Sequence, residues 1–435
     1  MEITLLDPNQ PAWLTRLDEL YTAMGGRADV TFFPVHFVQV ALPQIGGRVA
    51  LVEHAGALQA AGLLFPRQHT DSSSARSRAF TLRLQCLPGA APIALDQLAA
   101  TLAATLDTAV VPYDPSSELH FAASHQLVNG IDIGRPNRDE AETVRLLQQQ
   151  IWGSSPESLY PADIHSREFG LGTSLVARVA GRTVGFLFGF LKFGGKPLPD
   201  DWQQHVAGHL RIESQLLGVL PEQRGARLGF LLKKRQAEQA LRAGIQIINW
   251  TVDPLQWPNA VLNFGLLRAM AFDFAPDYYR FRNELNRVPA SRFGLTWLVN
   301  TQRVTRACRL YLDAAADHPS LIDLAAAPAI QRVNDGAQAL VEQPTSQQIA
   351  IELPADWTTL QHQDLGYALR WRTTTDRLLQ RLIGLAPGQY VVTDVGVESS
   401  RRYLVAQRST TALWAQLGDQ SLPPQQIVDK GERSY

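Results

Sequence analysis

Cysteine is scarce in this chain. Two residues, Cys86 and Cys308, among 435 exclude a disulfide framework and offer no metal-ligand spacing, so no metal is expected. Such usage suits a reducing, cytoplasmic setting. An excess of charge of either sign is lacking as well. The formal net charge is −1, so no basic surplus points to nucleic acid and no polybasic run to an anionic membrane. Long apolar runs are missing. The most continuous, VGFLFGFL, falls well short of the roughly 20 residues that a membrane span requires. Met1 is followed by Glu2 and no apolar leader core, so secretion is not expected. Three methionines among many Arg and Ala residues suit a GC-rich bacterial genome.

What is present is a globular composition, 45% hydrophobic and 19% charged, at a length that asks for two or three domains. WLTRLDELYTAMGG has helical spacing. GGRVALVEHAGALQAAGLLFPR reads as two strands turning at His54–Gly56, and AFTLRLQCLPGA as a third. The helix LDQLAATLAATLD and a strand ELHFAAS follow. From about residue 131 the order begins again: strand IDIGRPN, helix RDEAETVRLLQQQIWG, a strand pair SLVARVAGRTVGFLFGFL, then LRIESQLLGVLP, which ends in proline as LRLQCLPG nearly does. The order of elements suggests a degenerate duplication.

The second copy continues with the helix GARLGFLLKKRQAEQALRAG. Its Leu228, Leu231, Leu232, Ala237, Ala240 and Leu241 share a face, and Gly244 stands where a C′ residue belongs. Strand IQIINWTVDP, a helix NAVLNFGLLRAMA with Asn259 as N-cap, and strands FDFAPDYYRF and FGLTWLVN complete it. After helical segments and a polar link come strand IAIEL, the helix TTLQHQDLGYALRWRTTTDRLLQRL and strands QYVVTDVGV and RRYLVAQR. The Pro/Gln-rich tail 421–435 is expected to be flexible.

The stretch LGVLPEQRGARLGFLLKKRQ carries the chemistry. A strand feeding a helix through a short turn leaves main-chain N–H groups unpaired at the positive end of the helix dipole, where a phosphate fits. Gly225 permits the turn, and Arg224 and Arg227 can add charge-assisted contacts. An ordinary solvated turn would have the same composition. This segment nevertheless resembles the GNAT superfamily of acyl-CoA N-acyltransferases over about residues 131–305. The family motif, Arg/Gln-x-x-Gly-x-Gly/Ala, here reads Arg224, Gly225, Ala226, Arg227, Leu228, Gly229, with Arg227 where the first motif glycine stands. A helical backbone there would tolerate its Cβ. The chain is most similar to a bacterial subgroup with Trp-Thr-x-Asp-Pro-Leu and Asn-Ala-x-x-Asn, here Trp250 to Leu255 and Asn259 to Asn263.

The resemblance implies an acyl-CoA co-substrate, typically acetyl-CoA, between splayed strands at 210–220 and 245–252. It implies a main-chain N–H near Leu217, Gly218 and Val219 facing the thioester carbonyl, and coenzyme contacts from 224–229, Asn259 and Asn263. Glu213, six residues before Val219, is the candidate base. By period two it shares a face with Leu217 and Val219, as Arg211 does with Gln215. A carboxylate among apolar neighbours holds its proton more tightly, which suits a base working near neutrality. A structural ion pair is the alternative. The family's acid tyrosine falls near Phe264, which cannot donate a proton. Tyr278 and Tyr279 are substitutes, with ordinary strand aromatics as the alternative. Asp253 is read as an amine-binding or turn residue, Trp250 as core, Lys233 and Lys234 as a solvated face, and His205/His209 as too few for a metal.

The expectation is an α/β (α+β) protein with tandem GNAT-like folds, each a mixed, mostly antiparallel central sheet flanked by helices. Residues 1–130 form a degenerate copy, completed by 345–410, with a separate small α/β domain or an extension of the catalytic sheet as the alternatives for that segment. Residues 131–305 form the catalytic domain, and 306–420 a C-terminal α/β segment. The first copy, with QCLPGAAPIALDQ in place of the Arg/Gly turn, is not expected to bind coenzyme A. The function expected is N-acyl transfer to a small-molecule amine, with a non-catalytic acyl-CoA-binding protein as alternative. A homodimer is left open.

Overall fold

The computed structural model describes residues 2–23, 33–70, 76–128, 130–203, 210–225, 227–279, 287–312 and 321–419. The tail from Ser421, Ala226 and the His205/His209 pair lie outside them. The chain divides into two compact units, Met1–Lys196 with Gly208–Gln236, and Pro197–Ala207 with Ala237–Tyr435. The division falls inside the 131–305 segment.

The first unit begins with β1 (Glu2–Leu6), α1 (Trp13–Ala23), β2 (Arg48–His54), β3 (Ala57–Thr70), β4 (Arg76–Cys86), α2 (Leu95–Leu106) and β5 (Ala109–Tyr113). The five strands pair in chain order, antiparallel except that β5, returning through α2, runs parallel to β4. Leu98, Ala99 and Leu102 on one face of α2 bury against this sheet. The strand expected at 118–124 does not form. The last strand is instead β5. It ends where Asp114 Oδ1 accepts the Ser116 N–H (2.8 Å) and turns the chain. Residues 118–124 are held irregularly, with Arg138 donating to the Leu119 carbonyl and lying over Phe121.

A second sheet follows in the same unit: β6 (Leu127–Val128), β7 (Ile131–Gly134), α3 (Arg138–Trp152), β8 (Thr173–Val179), β9 (Arg182–Phe193) and β10 (Leu210–Val219), leading into α4 (Leu228–Arg242). Its order is β10-β9-β8-β7-β6, antiparallel throughout. A capping box starts α3. Asn137 accepts the Glu140 N–H (2.8 Å) and Glu140 accepts the Asn137 N–H (2.9 Å). Glu140 also pairs with the buried Arg178 of β8, which ties the helix start to the sheet. The order strand, helix, three strands, helix thus occurs twice, in β1-α1-β2-β3-β4-α2 and β7-α3-β8-β9-β10-α4. The two parts are joined by packed rings: Phe33 on Phe65 (4.7 Å), Phe65 on Phe169 (4.9 Å) and Phe37 on Phe190 (4.9 Å).

The second unit contains β11 (Ile247–Val252), β12 (Met270–Tyr279), β13 (Ala290–Leu298) and α5 (Gln302–Leu312). The short strands β14 (Ile322–Asp323), β15 (Gln331–Arg332), β16 (Asn334–Asp335) and β17 (Gln338–Ala339) follow. Then come β18 (Gln348–Leu353), α6 (Trp357–Gln363), α7 (Leu365–Leu382), β19 (Tyr390–Glu398), β20 (Arg401–Arg408) and α8 (Thr411–Gly418). The single C-terminal helix expected is two, because the Asp364 side chain accepts the Tyr367 N–H and restarts the helix. The helix expected at 259–271 begins earlier, at Trp257 with Pro258 in its first turn, and continues in π geometry over Val261–Leu266. Asn259 is therefore an exposed residue inside a helix, not its cap.

Residues 345–410 do not complete the N-terminal sheet. β18 pairs with β20 and β15, and β19 pairs with β12 at Ala271–Val392. The strand that β18 was expected to join, β4, has both of its edges occupied, by β3 and β5. Beside this pairing Asp394, at a bulge of β19, pairs with Arg268 (2.6 Å) and Arg303 (3.6 Å), and Met270, Phe272 and Val391 share an apolar cluster.

Candidate functional site

Strand β10 pairs with β9 in two registers. Glu213 faces Phe190 and Ser214 faces Gly189, but Leu216 faces Phe188, so Gln215 is an extra residue in a β-bulge. Residues directly opposite share a face. The Glu213 face therefore carries Arg211, Leu216 and Gly218 beside Lys192, Phe190, Phe188 and Phe186. Leu217 and Val219 lie on the other face with Ile212 and Ser214. The expected alignment of Glu213 with Leu217 and Val219 is wrong, because unbroken alternation does not survive the bulge. Gln215 reaches the hydroxyl of Tyr160 (2.9 Å). Gly218 is buried, and a Cβ there would stand 2.7 Å from Phe186 and 2.9 Å from Ile151.

Glu213 is not set among apolar groups alone. Its carboxylate accepts from Lys192 Nζ at 2.7 Å, both side chains mostly buried (14% and 11% exposed). Arg211, two residues before it on the same face, donates to the Lys196 carbonyl (3.3 and 3.4 Å). Burial holds the Arg211 guanidinium below its ordinary range, and the negative charge of Glu213 opposes that shift. On the opposite face, Lys233 of α4 is buried rather than solvated. Its Nζ donates to Ser214 Oγ (2.8 Å) and Gln236 Oε1 (3.4 Å). Desolvation pushes its amine well below the ordinary lysine range, against the attraction of Glu213. The sequence signal for Lys233 was Phe230 three residues earlier, an apolar residue off the leucine stripe. Both are buried, as is Gln236.

After β10, the Leu220 N–H bonds Val184 O, and Pro221–Gln223 form a 3₁₀ turn. The Arg224 N–H is spent inside that turn, on Pro221 O (3.2 Å). Gly225 has φ +89°, a conformation that favours glycine, and among the described residues no atom beyond its chain neighbours lies within 4 Å of where a Cβ would sit. Arg227 is left-handed as well, at φ +61°. The expected helical backbone is thus absent at Arg227, and an arginine holds a torsion that glycine would fill without strain. The main-chain ladder of α4 begins with Leu231 N–H to Arg227 O, so the amides of Leu228 and Gly229 precede it.

The other predicted residues lie in the second unit. Asp253 is committed to structure. Oδ1 accepts the Leu255 N–H (2.9 Å), and Oδ2 pairs with the buried Arg372 (2.6 Å) and with Arg292 (3.6 Å). Tyr278 and Tyr279 meet edge to face at 4.7 Å, with Arg292 over the Tyr279 ring. Asn263 is buried, and its carbonyl accepts the Ala269 N–H (2.8 Å). Phe264 is core, against Phe293, and Trp250 packs on Trp297. Among the described residues no cluster of His, Cys, Asp and Glu could hold a metal, and no helix is long and apolar enough to cross a membrane.

No family model and no curated protein matches the chain. Among solved structures, part of it is similar to Arabidopsis thaliana Naa50 in complex with a bisubstrate analogue. That likeness has 14% identity and a TM-score of 0.29, over 38% of this chain and 97% of that one. It is similar to the ribosomal-protein-S18-alanine N-acetyltransferase of Escherichia coli at 10% identity and TM-score 0.29, over 39% and 94%. A GNAT-family acetyltransferase of Streptococcus pneumoniae aligns at 12% identity and TM-score 0.28, over 39% and 98%.

Proposed function

We propose that the chain is an acyl-CoA-dependent N-acyltransferase acting on a small-molecule amine, with acetyl-CoA as the donor. The reading rests above all on one run of backbone. A bulged strand, β10, passes through a turn with two left-handed residues, Gly225 and Arg227, into the first amides of α4. The coenzyme's diphosphate would lie at Leu228 and Gly229, with Arg224 and Arg227 adding charge. The pantetheine would run along β10, and a main-chain N–H of Leu217–Val219 would polarise the thioester carbonyl.

In the reaction the acceptor nitrogen attacks the thioester carbon. The N–C bond forms, the C–S bond breaks, and coenzyme A leaves as a thiol. Glu213 takes the proton lost from nitrogen. Lys192 holds the Glu213 carboxylate in place. The thiolate takes up a proton and leaves as the thiol.

A second reading, acyl-CoA binding without turnover, is favoured by Phe264 in the place of an acid and by the side chain of Arg227 beside the diphosphate position. Calorimetry with coenzyme A and thiol release with acetyl-CoA over an amine panel separate the two. Glu213→Gln is expected to keep coenzyme affinity and lower kcat by about 10²–10⁴-fold. Unchanged kcat would remove Glu213 from the reaction, and absence of coenzyme binding would remove the reading.

A further inference from the structure

The charges around Glu213 say more about the acceptor than the carboxylate alone. Lys192 and Arg211 stand directly opposite each other across the β9–β10 pair, on the Glu213 face. Like charges so placed repel. Glu213 pairs with Lys192 and only attracts Arg211 through space, so among the described residues of the β9–β10 pair this end of the face carries two cations and one anion. Arg211 is 6% exposed, and its Nε finds no hydrogen-bond partner among the described residues. A buried guanidinium N–H without an acceptor is costly, and an anionic oxygen satisfies it. The Lys192 ammonium and a Glu213 oxygen are 2.7 Å apart, the direct contact of a charge-assisted pair in which each group satisfies the other. A ligand that supplies only one charge breaks this pair and leaves the other group unsatisfied. A molecule carrying an amine next to a carboxylate supplies both, and can exchange partners with the pair, amine to Glu213 and carboxylate to Lys192 and the neighbouring Arg211. An acceptor that is cationic throughout meets two like charges.

Resting on the acyltransferase reading, we infer that the acceptor is a zwitterionic amine of the α-amino-acid type, selected through its carboxylate by Lys192 and Arg211. Lys192 is on this view a specificity-determining residue as well as the partner of Glu213.

The test titrates the full chain by calorimetry, with and without coenzyme A. The probes are L-alanine, L-phenylalanine and L-glutamate, each beside its methyl ester, and spermidine. Thiol release from acetyl-CoA is followed in parallel. The expected result is at least one free acid that binds 10-fold or more tighter than its ester and than spermidine. Lys192→Met should abolish that preference and Lys192→Arg should retain it, with melting curves confirming that both variants are folded. If Lys192→Met does not fold, Lys192→Gln replaces it. Esters or spermidine binding as well as the free acids, or a preference untouched by the loss of the Lys192 charge, would overturn the inference, whether or not thioester is consumed. Failure of coenzyme A to bind would instead sink the acyltransferase reading, while the titrations without coenzyme would still decide the zwitterion site.

Discussion

Arg227 holds φ +61° at the mouth of α4, in the slot where the family motif places glycine. A left-handed conformation costs a residue with a Cβ about 1–2 kcal/mol, and glycine gives back about 0.4–1 kcal/mol through the freer unfolded chain. Arg227→Gly is accordingly expected to stabilise the fold by about 0.5–1 kcal/mol in denaturant unfolding. The same change tests the guanidinium. If Arg227 grips the diphosphate, coenzyme affinity falls about 10-fold, the scale of one charge-assisted contact. If its side chain blocks the turn, affinity rises. A loss of stability would show that Arg227 is held by contacts outweighing its torsion. The residue type could be read from the sequence but its torsion could not, because an N-cap neighbour can be extended, helical or left-handed.

At the scale of elements, the bulge in β10 decides which side chains meet. Because the pairs on both sides of it are in register with β9, removing Gln215 would leave Ser214 opposite Gly189 and Leu216 opposite Phe188. Deletion of Gln215 should therefore preserve the fold, losing the hydrogen bond to Tyr160, worth about 1 kcal/mol. It would straighten the strand, however, and move the 217–219 main chain relative to Glu213. A displacement near 1 Å costs turnover about 10²-fold. Thiol-release rates beside circular dichroism check both halves; undiminished turnover would mean that the bulge is only structural. This element also marks the limit of reading by period. The strand, the proline that ends it, the turn and the leucine stripe of α4 were all legible, because alternation and helical spacing reflect burial. A bulge leaves no composition mark, so Glu213 was placed on the wrong face and Lys192 was missed. The C-terminal strands were legible as strands. Their partners were not, since pairing brings together residues distant in sequence, such as Asp394 and Arg268.

For the whole molecule, the two units are expected to answer acid in opposite ways. The first contains His36 and His165. Burial lowers them to about 4 and about 3, with the charge of Arg135 adding to the shift at His165. His165 is buried, with Nδ1 on Ser174 Oγ at 2.8 Å. In the unfolded chain a histidine takes its proton below about 6.5, whereas in the fold these two do not. The unfolded state then binds more protons, so stability falls as pH drops below about 6.5, by about 2 kcal/mol at pH 5 from His165 alone. The second unit contains Asp376, pushed up to about 6, chiefly by burial and further by Asp253, against Arg372 and the Ser291 hydroxyl. Here the folded state binds the proton more tightly. Its contribution is present at low pH and is lost as pH rises from 3.8 to about 6, so moving from pH 7 to pH 5 adds about 1 kcal/mol. Hydrogen exchange at the two pH values, corrected for intrinsic rates, should show β8–β10 amides losing protection at pH 5 while β11, β13 and α7 hold or gain it. Asp376→Asn should remove the gain, because an amide has no proton to take up. Uniform loss across both units would mean that they unfold as one cooperative body and that the burial of these groups does not govern the acid response of either.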